Sequence, residues 1–294
     1  MSQHFTSKSL HQNRFLDYEL IDFGHHRKLE RFGKIIIDRP EINATNSPHN
    51  NPELWKSAHW KFEEINPKQG KWKQLRESPN EWTMIFRVGN PMKLELKLTQ
   101  FKHIGVFPEQ SENWAYIQSK LKKNASSKSF LNLFAYTGAA SVVAAHSSAK
   151  VTNVDSVKRI TEWAKKNASI NKLDNIRWIV EDARKFVAKC ERRGERFNGI
   201  ILDPPIYGLG TKKEHWKLER DLMGLLKSVS KVLHQKEGFI VLNTYSHKVD
   251  LAQLSAMISS IDNMPKLIER YNLGLLSNKR HFLPLGQLIR ACRP

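Results

Sequence analysis

The sequence predicts an α/β fold: a mostly parallel sheet with helices on both faces, closed by an antiparallel C-terminal hairpin and preceded by a small α+β domain. Three observations predict it. From about Phe130, five apolar runs end in polar or small residues: FLNLFAYTG, KVTNVDS, IRWIVEDA, FNGIILDPP and GFIVLNTYS. Helical stretches such as TEWAKKNASINK and KLERDLMGLLKSVSKVL lie between them, and strands alternating with helices build parallel sheets. After LAQLSAMISSI, the runs KLIERYNLG and PLGQLIRACR follow with no helix between them, which predicts an edge hairpin.

Taken in order, residues 1–16 are polar and read as a flexible tail. Residues 17–98 read as the small α+β domain, with a possible substrate-binding role. Within it KIIID is a strand, and PELWKSAHWKFEEI is a helix with Pro near its start. WTMIFRV and KLELKLT alternate polar and apolar residues and form a hairpin around Gly89 and Asn90. Four tryptophans fall here, Trp55, Trp60, Trp72 and Trp82, and aromatics carry much of a small domain's burial, so most are expected in its core. Residues 99–294 form the regular domain.

The net charge of +19 and pI of about 9.9 favour polyanionic partners, nucleic acid first. The charge is uneven: residues 1–98 carry 16 Lys and Arg against 12 Asp and Glu, and residues 99–294 carry 32 against 17. The basic surface thus belongs mainly to the regular domain. Two cysteines make no disulfide framework. The stretch MSQHFTSKSLHQNRF has no apolar leader core, and no run reaches bilayer length, so a soluble cytoplasmic protein is expected. The twelve histidines show neither HExxH nor Cys/His ligand spacing, and no metal is expected.

In open α/β sheets ligands bind beyond the carboxyl ends of the strands. The five strands deliver Phe134 to Gly138, Asp155 and Ser156, Glu181 to Ala183, Asp203 to Pro205, and Asn243 to Ser246. Gly138 permits close approach to the backbone. Asp155 is placed to accept from both hydroxyls of a ribose, as acids also do in nicotinamide-binding folds. Asp182 is placed to read an amino group of adenine, although a strand-end Asp is commonly a helix N-cap. The first turn holds one glycine and not GxGxxG, which argues against a dinucleotide.

FLNLFAYTGAAS, NVDSVKRITEWAKKNA, WIVEDARKFV, ILDPP and the closing hairpin resemble class I S-adenosylmethionine-dependent methyltransferases, with their Rossmann-like sheet. More closely, the chain resembles the bacterial large-subunit ribosomal RNA methyltransferase family that includes the 5-methylcytosine and 7-methylguanine enzymes. FKHIGVFPEQSENW is similar to that family's lead-in motif. No counterpart of the PUA domain that opens some members is expected. The resemblance implies S-adenosyl-L-methionine as cofactor and RNA, ribosomal RNA foremost, as partner. It implies that Phe107 and Gln110 line the methionine end, and that Phe134, Tyr136, Thr137 and Gly138 surround the sulfonium and amino acid. Asp155 would hold the ribose and Asp182 the adenine, with Ser156 and Ala183 beside them in the cofactor site. Asp203 would stand at the transferring methyl group.

The acceptor atom is read from a missing residue. Cytosine C5 needs a cysteine to add to the neighbouring ring carbon. Related cytosine enzymes carry one after the fourth or fifth strand, where this chain has Asp203 to Ile206 and Asn243 to Ser246. A base nitrogen suits the DPP turn better. Asp203 and the carbonyl of Pro204 can accept from an amino group, and Tyr207 can stack on a base. Ile206 separates Tyr207 from the second proline and stands where related enzymes place a basic residue. The loop from Tyr207 to Trp216, with Gly208, Gly210, Lys212 and Lys213, reads as an RNA-contacting lid. Arg192, Arg193 and Arg196 lie away from the strand ends and read as a solvated face or a secondary RNA contact. Two other readings stand beside this one: a methyltransferase of protein or small molecules, and a non-catalytic RNA-binding relic of the fold.

Overall fold

The computed structural model describes residues 8–10, 17–48, 51–66, 69–88, 90–122, 128–210 and 214–293. Residues 1–7 and 11–16 of the expected tail, Gly89 of the hairpin turn, and Lys212 and Lys213 of the expected lid lie outside them. The chain divides into two compact units. The first comprises residues 1–10, Asn113–Leu273 and Gly286–Pro294. The second comprises His11–Glu112 and Gly274–Leu285, so it runs past the boundary expected at 98 and takes in the tip of the final hairpin.

The second unit is built on a five-stranded sheet, β2 (Tyr18–Gly24), β3 (Arg27–Phe32), β4 (Ile35–Pro40), β5 (Trp60–Asn66) and β6 (Gln69–Gln74), in sequential order. A separate antiparallel hairpin, β7 (Glu81–Val88) and β8 (Asn90–Lys97), pairs as expected. The helix expected over 52–65 is a correction: only Pro52–Ser57 is helical, as a 3-10 turn capped by Asn51, and Trp60 onward is β5. Trp55, Ala58, Phe62 and Ile65 mimic helical spacing, but Ala58 turns extended (φ −58, ψ 136) and ends it. The four tryptophans are half-buried. Phe32, Ile37, Phe62, Phe86, Leu94 and Leu96 fill the core instead.

Beneath this sheet lies a buried ionic cluster. Arg39 makes two bonds to the fully buried Glu30 (2.6 and 3.1 Å), and the Tyr18 hydroxyl donates to the same carboxylate at 2.9 Å. Lys28 lies 3.7 Å from Glu30 and 3.2 Å from Glu41. Burial pushes the Glu30 carboxyl up, but Arg39 and Lys28 outweigh it and leave its pKa below the usual value.

The first unit holds an eight-stranded sheet. Its strands are β1 (Lys8–Leu10), β9 (Ser129–Leu133), β10 (Lys150–Asp155), β11 (Ile176–Val180), β12 (Gly199–Leu202), β15 (Phe239–Thr244), β16 (Leu267–Leu276) and β17 (Phe282–Cys292). Their order is β1-β16-β17-β15-β12-β9-β10-β11. The five central strands pair in parallel and β17 runs antiparallel to β15, as the sequence pattern predicts. Lys8–Leu10 is a second correction: part of the expected tail is an edge strand, parallel to β16. The helices are α1 (Ser111–Leu121), α2 (Ala139–His146), α3 (Lys158–Ile170), α4 (Ala183–Arg192), α5 (Leu218–Val232) and α6 (Leu251–Ser259). Leu131, Leu133, Ile200, Leu202, Ile240 and Leu242 of the sheet join Phe186, Val187, Leu222 and Leu226 of α4 and α5 in one core. A further small ribbon, β13 (Tyr207–Leu209) paired with β14 (His215–Lys217), leaves the end of β12.

Substituting Glu30→Ala leaves Arg39 buried without its carboxylate and should destabilise the protein by about 3–5 kcal/mol, read as a lower urea midpoint. The same carboxylate predicts acid lability. Its contribution is complete above the ordinary glutamate value of 4.5 and is lost as pH falls through the lowered folded value. Urea titrations from neutral pH down to below that range should show a flatter pH dependence in E30A than in the wild type.

Candidate functional site

Register places the site. Leu133 pairs with Val154 and with Leu202, and Leu202 pairs with Leu242. The next residue on each strand is therefore level with its neighbours: Asn243, Asp203, Phe134 and Asp155 stand side by side at the carboxyl ends. The Asn243 Nδ2 donates to Asp203 Oδ1 at 3.0 Å, so the fifth strand fixes the acid of the fourth.

The first turn is held from the second strand. Asp155 Oδ2 accepts the Tyr136 backbone N–H and Oδ1 that of Val157, both at 2.9 Å. Burial pushes the Asp155 carboxyl up, and these two N–H groups work against that shift. Between Phe134 and Gly138 the chain enters the left-handed region three times, at Phe134 (φ 57), Tyr136 (φ 50) and Gly138 (φ 80). Such φ values on two aromatic residues cost free energy and concentrate at functional sites. A Cβ on Gly138 would come within 2.9 Å of the Ala164 Cβ, so the turn sits hard against α3. Thr137 is buried, and its carbonyl accepts from Asn167 at 2.9 Å. Below the turn, Asn132 donates to Ser141, which donates to Asn153 (3.0 and 2.8 Å).

Beside this row opens a cleft. Phe134, Asp155, Ser156, Asp182 and Ala183 line it, five of the residues expected at a cofactor. Tyr136, Thr137, Gly138, Asp203, Pro204 and Tyr207 stand at the strand ends outside its lining. Phe107 and Gln110 belong to the second unit, at the 3-10 turn Pro108–Gln110, where Gln110 is buried. Asp182 is also the N-cap of α4: its carboxylate accepts from the backbone of Arg184 and Lys185 and pairs with the Arg184 guanidinium at 2.9 Å. An adenine amino group would share that carboxylate with the helix.

The far wall comes from the β13–β14 ribbon through Gly208, Leu209, Gly210, Glu214 and Trp216. The Trp216 ring packs against Phe134 (centroids 5.1 Å apart), and Arg184 lies over it at 5.6 Å. Glu214 pairs with Lys185 at 2.7 Å and Arg184 with Asp221 at 3.3 Å. Trp216 and Glu214 were not expected as lining residues. The only signal for them was a glycine-bearing stretch between the DPP turn and a helix. Tyr207 and Leu209, two apart on β13, project to one side and are 61% and 64% exposed.

The chemistry of the cleft fits a nucleoside. Phe134, Val154 and Trp216 give apolar walls for a flat base, and strand-end carboxylates give acceptors for hydroxyl and amino groups. Both cysteines lie elsewhere. Cys190 is buried in α4, with its thiol pushed up to about 12 by burial, and Cys292 is buried at the end of β17.

Comparison with known proteins identifies the family and the fold. Residues 111–261 match the family described as Conserved hypothetical protein 95. A 147-residue stretch, 49% of this chain, is 34% identical to the ribosomal RNA large subunit methyltransferase K/L of Pseudoalteromonas atlantica; it spans only 20% of that protein. The SAM-dependent methyltransferase of Agrobacterium tumefaciens superposes with a TM-score of 0.90 at 29% identity, covering 100% of this chain and 98% of that one. SMU.776, solved with SAH, superposes with a TM-score of 0.71 at 18% identity, covering 95% of this chain and 76% of that one, a likeness of fold.

The Asp155 anchor is directly testable. Asp155→Ala removes the acceptor of two backbone N–H groups and should cost about 2–4 kcal/mol, measured as a shift of the urea midpoint.

Proposed function

Because this chain belongs to the Conserved hypothetical protein 95 family and is a class I S-adenosylmethionine-dependent methyltransferase, we propose that it methylates a base nitrogen of RNA, with ribosomal RNA as the foremost substrate. The cleft beside Asp155 and Asp182 takes the nucleoside of the cofactor, which when bound supplies an electrophilic methyl group. The level row of Asp203 and Phe134 then lies where the acceptor must arrive.

The observation that carries the choice of atom is the residue row at the strand ends. Asp203, fixed by Asn243, is an acceptor for the proton-bearing side of an amino group, and no cysteine stands beside it. Methyl transfer from a sulfonium mainly requires positioning and exclusion of water. Asp203 and the Pro204 carbonyl orient the nucleophile, and exposed Tyr207 offers a face for a base. A thiol at about 12 inside a helix does not serve as the carbon-adding nucleophile that cytosine C5 demands. The high positive charge supports a polyanionic substrate, and the sequence similarity to a ribosomal RNA methyltransferase supports the same reading.

Mass spectrometry of RNA nucleosides from cells with and without the protein should show one methylguanosine or methyladenosine lost. Loss of 5-methylcytidine alone, or methyl label that survives RNase treatment, would overturn the proposal. Asp203→Ala should lower methyl transfer by roughly 100-fold or more, with SAH affinity by calorimetry unchanged.

A further inference from the structure

The turn after β12 is poorly tied down by its own backbone. Pro204 and Pro205 have no N–H to donate, so the segment depends on donors from elsewhere. The Pro205 carbonyl accepts the Trp216 indole N–H at 2.7 Å, and the Ile206 carbonyl accepts the Leu218 N–H at 3.0 Å. Trp216 and Leu218 are two residues apart, at the junction of β14 and α5. Beyond the Asn243–Asp203 bond at its start, the DPP turn is therefore tied to one short stretch of chain.

That same indole is a wall of the nucleoside cleft. Trp216 is 5% exposed, and its ring is held between Phe134 and Arg184. Because its N–H is engaged by Pro205, the ring meets the cleft as an apolar face and not as a donor. Pro205 and Gly208 line the cleft too. A ligand there contacts both ends of the Trp216–Pro205 bond. Arg184 adds a second tie, since it also pairs with the Asp182 N-cap and with Asp221 of α5.

We propose that Trp216 is a positioning residue that couples the two halves of the site: filling the nucleoside cleft immobilises the indole, and the indole in turn immobilises the Pro205 carbonyl and the turn that carries Asp203. This rests on the reading of the cleft as the cofactor's nucleoside site. The consequence is an order of events. The acceptor's platform, including exposed Tyr207, becomes rigid only once the cofactor cleft is filled, so the acceptor binds second.

Hydrogen exchange of the full-length protein with and without SAH tests the coupling without any need to know the acceptor. In the wild type, SAH should slow exchange at the amides of Ile206 to Gly210 and of Leu218, by roughly 5- to 150-fold, the range of ordinary coupling between sites. Trp216→Phe keeps an aromatic wall but loses the N–H. It should retain most of the SAH affinity in calorimetry while the slowing disappears. Trp216→Ala should lose roughly 5- to 150-fold in SAH affinity as well, the effect of removing a stacking face. Wild-type protein that binds SAH with no slowing at these amides overturns the coupling, and so does W216F with a wild-type exchange response. An equal loss of affinity in W216F and W216A, with a shared fall in Tm, makes Trp216 a scaffold residue and also overturns it. Failure of the wild type to bind SAH is a different result: it removes the cofactor reading of the cleft, and the inference with it.

Discussion

The candidate site depends on one carboxylate. Asp155 ends β10, yet its oxygens organise the turn after β9 by accepting the N–H of Tyr136, and start the chain toward α3 by accepting that of Val157. Left-handed backbone at Phe134 and Tyr136 costs about 1–2 kcal/mol per residue. Hydrogen bonds to a charged acceptor return about 1.5–3 kcal/mol each, so the strained turn is sustained by its neighbouring strand and not by its own sequence. Gly138 completes it, since a Cβ there would meet the Ala164 Cβ at 2.9 Å. Phe134 can face the cleft only while this turn is held.

The parallel sheet was legible because its strands are short apolar runs with a polar residue at each carboxyl end, and register carries those residues to one level. The second unit was legible only in part. In β2, β3 and β4 the buried positions include Asp22, Lys28, Glu30, Asp38 and Arg39. A sheet whose interior face is stitched by ion pairs does not alternate between apolar and polar residues. The period-2 signal therefore fails in the place where the pairing Arg39–Glu30 replaces hydrophobic contact. The helix misread over residues 52–65 has a similar origin: spacing alone cannot register a residue such as Ala58 that turns extended.

Within the site, legibility followed the same rule. Residues at the carboxyl ends of the central strands, such as Asp155 and Asp203, are legible from their position in the apolar runs. Trp216 and Glu214 sit on a three-residue strand or just before it, too short for any periodicity, and only tertiary pairing with β13 brings them to the cleft. Asp182 shows the opposite case, a residue with two duties. Its strand-end position suggested a ligand contact and its helix-start position an N-cap; the geometry displays the second, with Arg184 closing on the same oxygens. The Ile206 carbonyl holds the start of α5, a backbone role that any residue fulfils, and nothing in the structure explains its side chain.

Charge counting shows where composition misleads. The strand-end domain carries most of the positive charge, yet its cleft is lined by Asp155, Glu181, Asp182 and Glu214. Among the described residues, the nearby cations are engaged with carboxylates: Arg184 with Asp182 and Asp221, Lys185 with Glu214, Lys189 with Glu181, and Lys217 and Lys248 with Glu219. Among the described residues the cleft lining is acidic and not basic, which suits a ligand bearing a sulfonium and an ammonium group. A polyanion gains instead from the summed field of the outer surface, which acts over a Debye length of about 8–10 Å and weakens with salt. The acidic lining of the cleft and the basic surplus of the domain are therefore two separate electrostatic features.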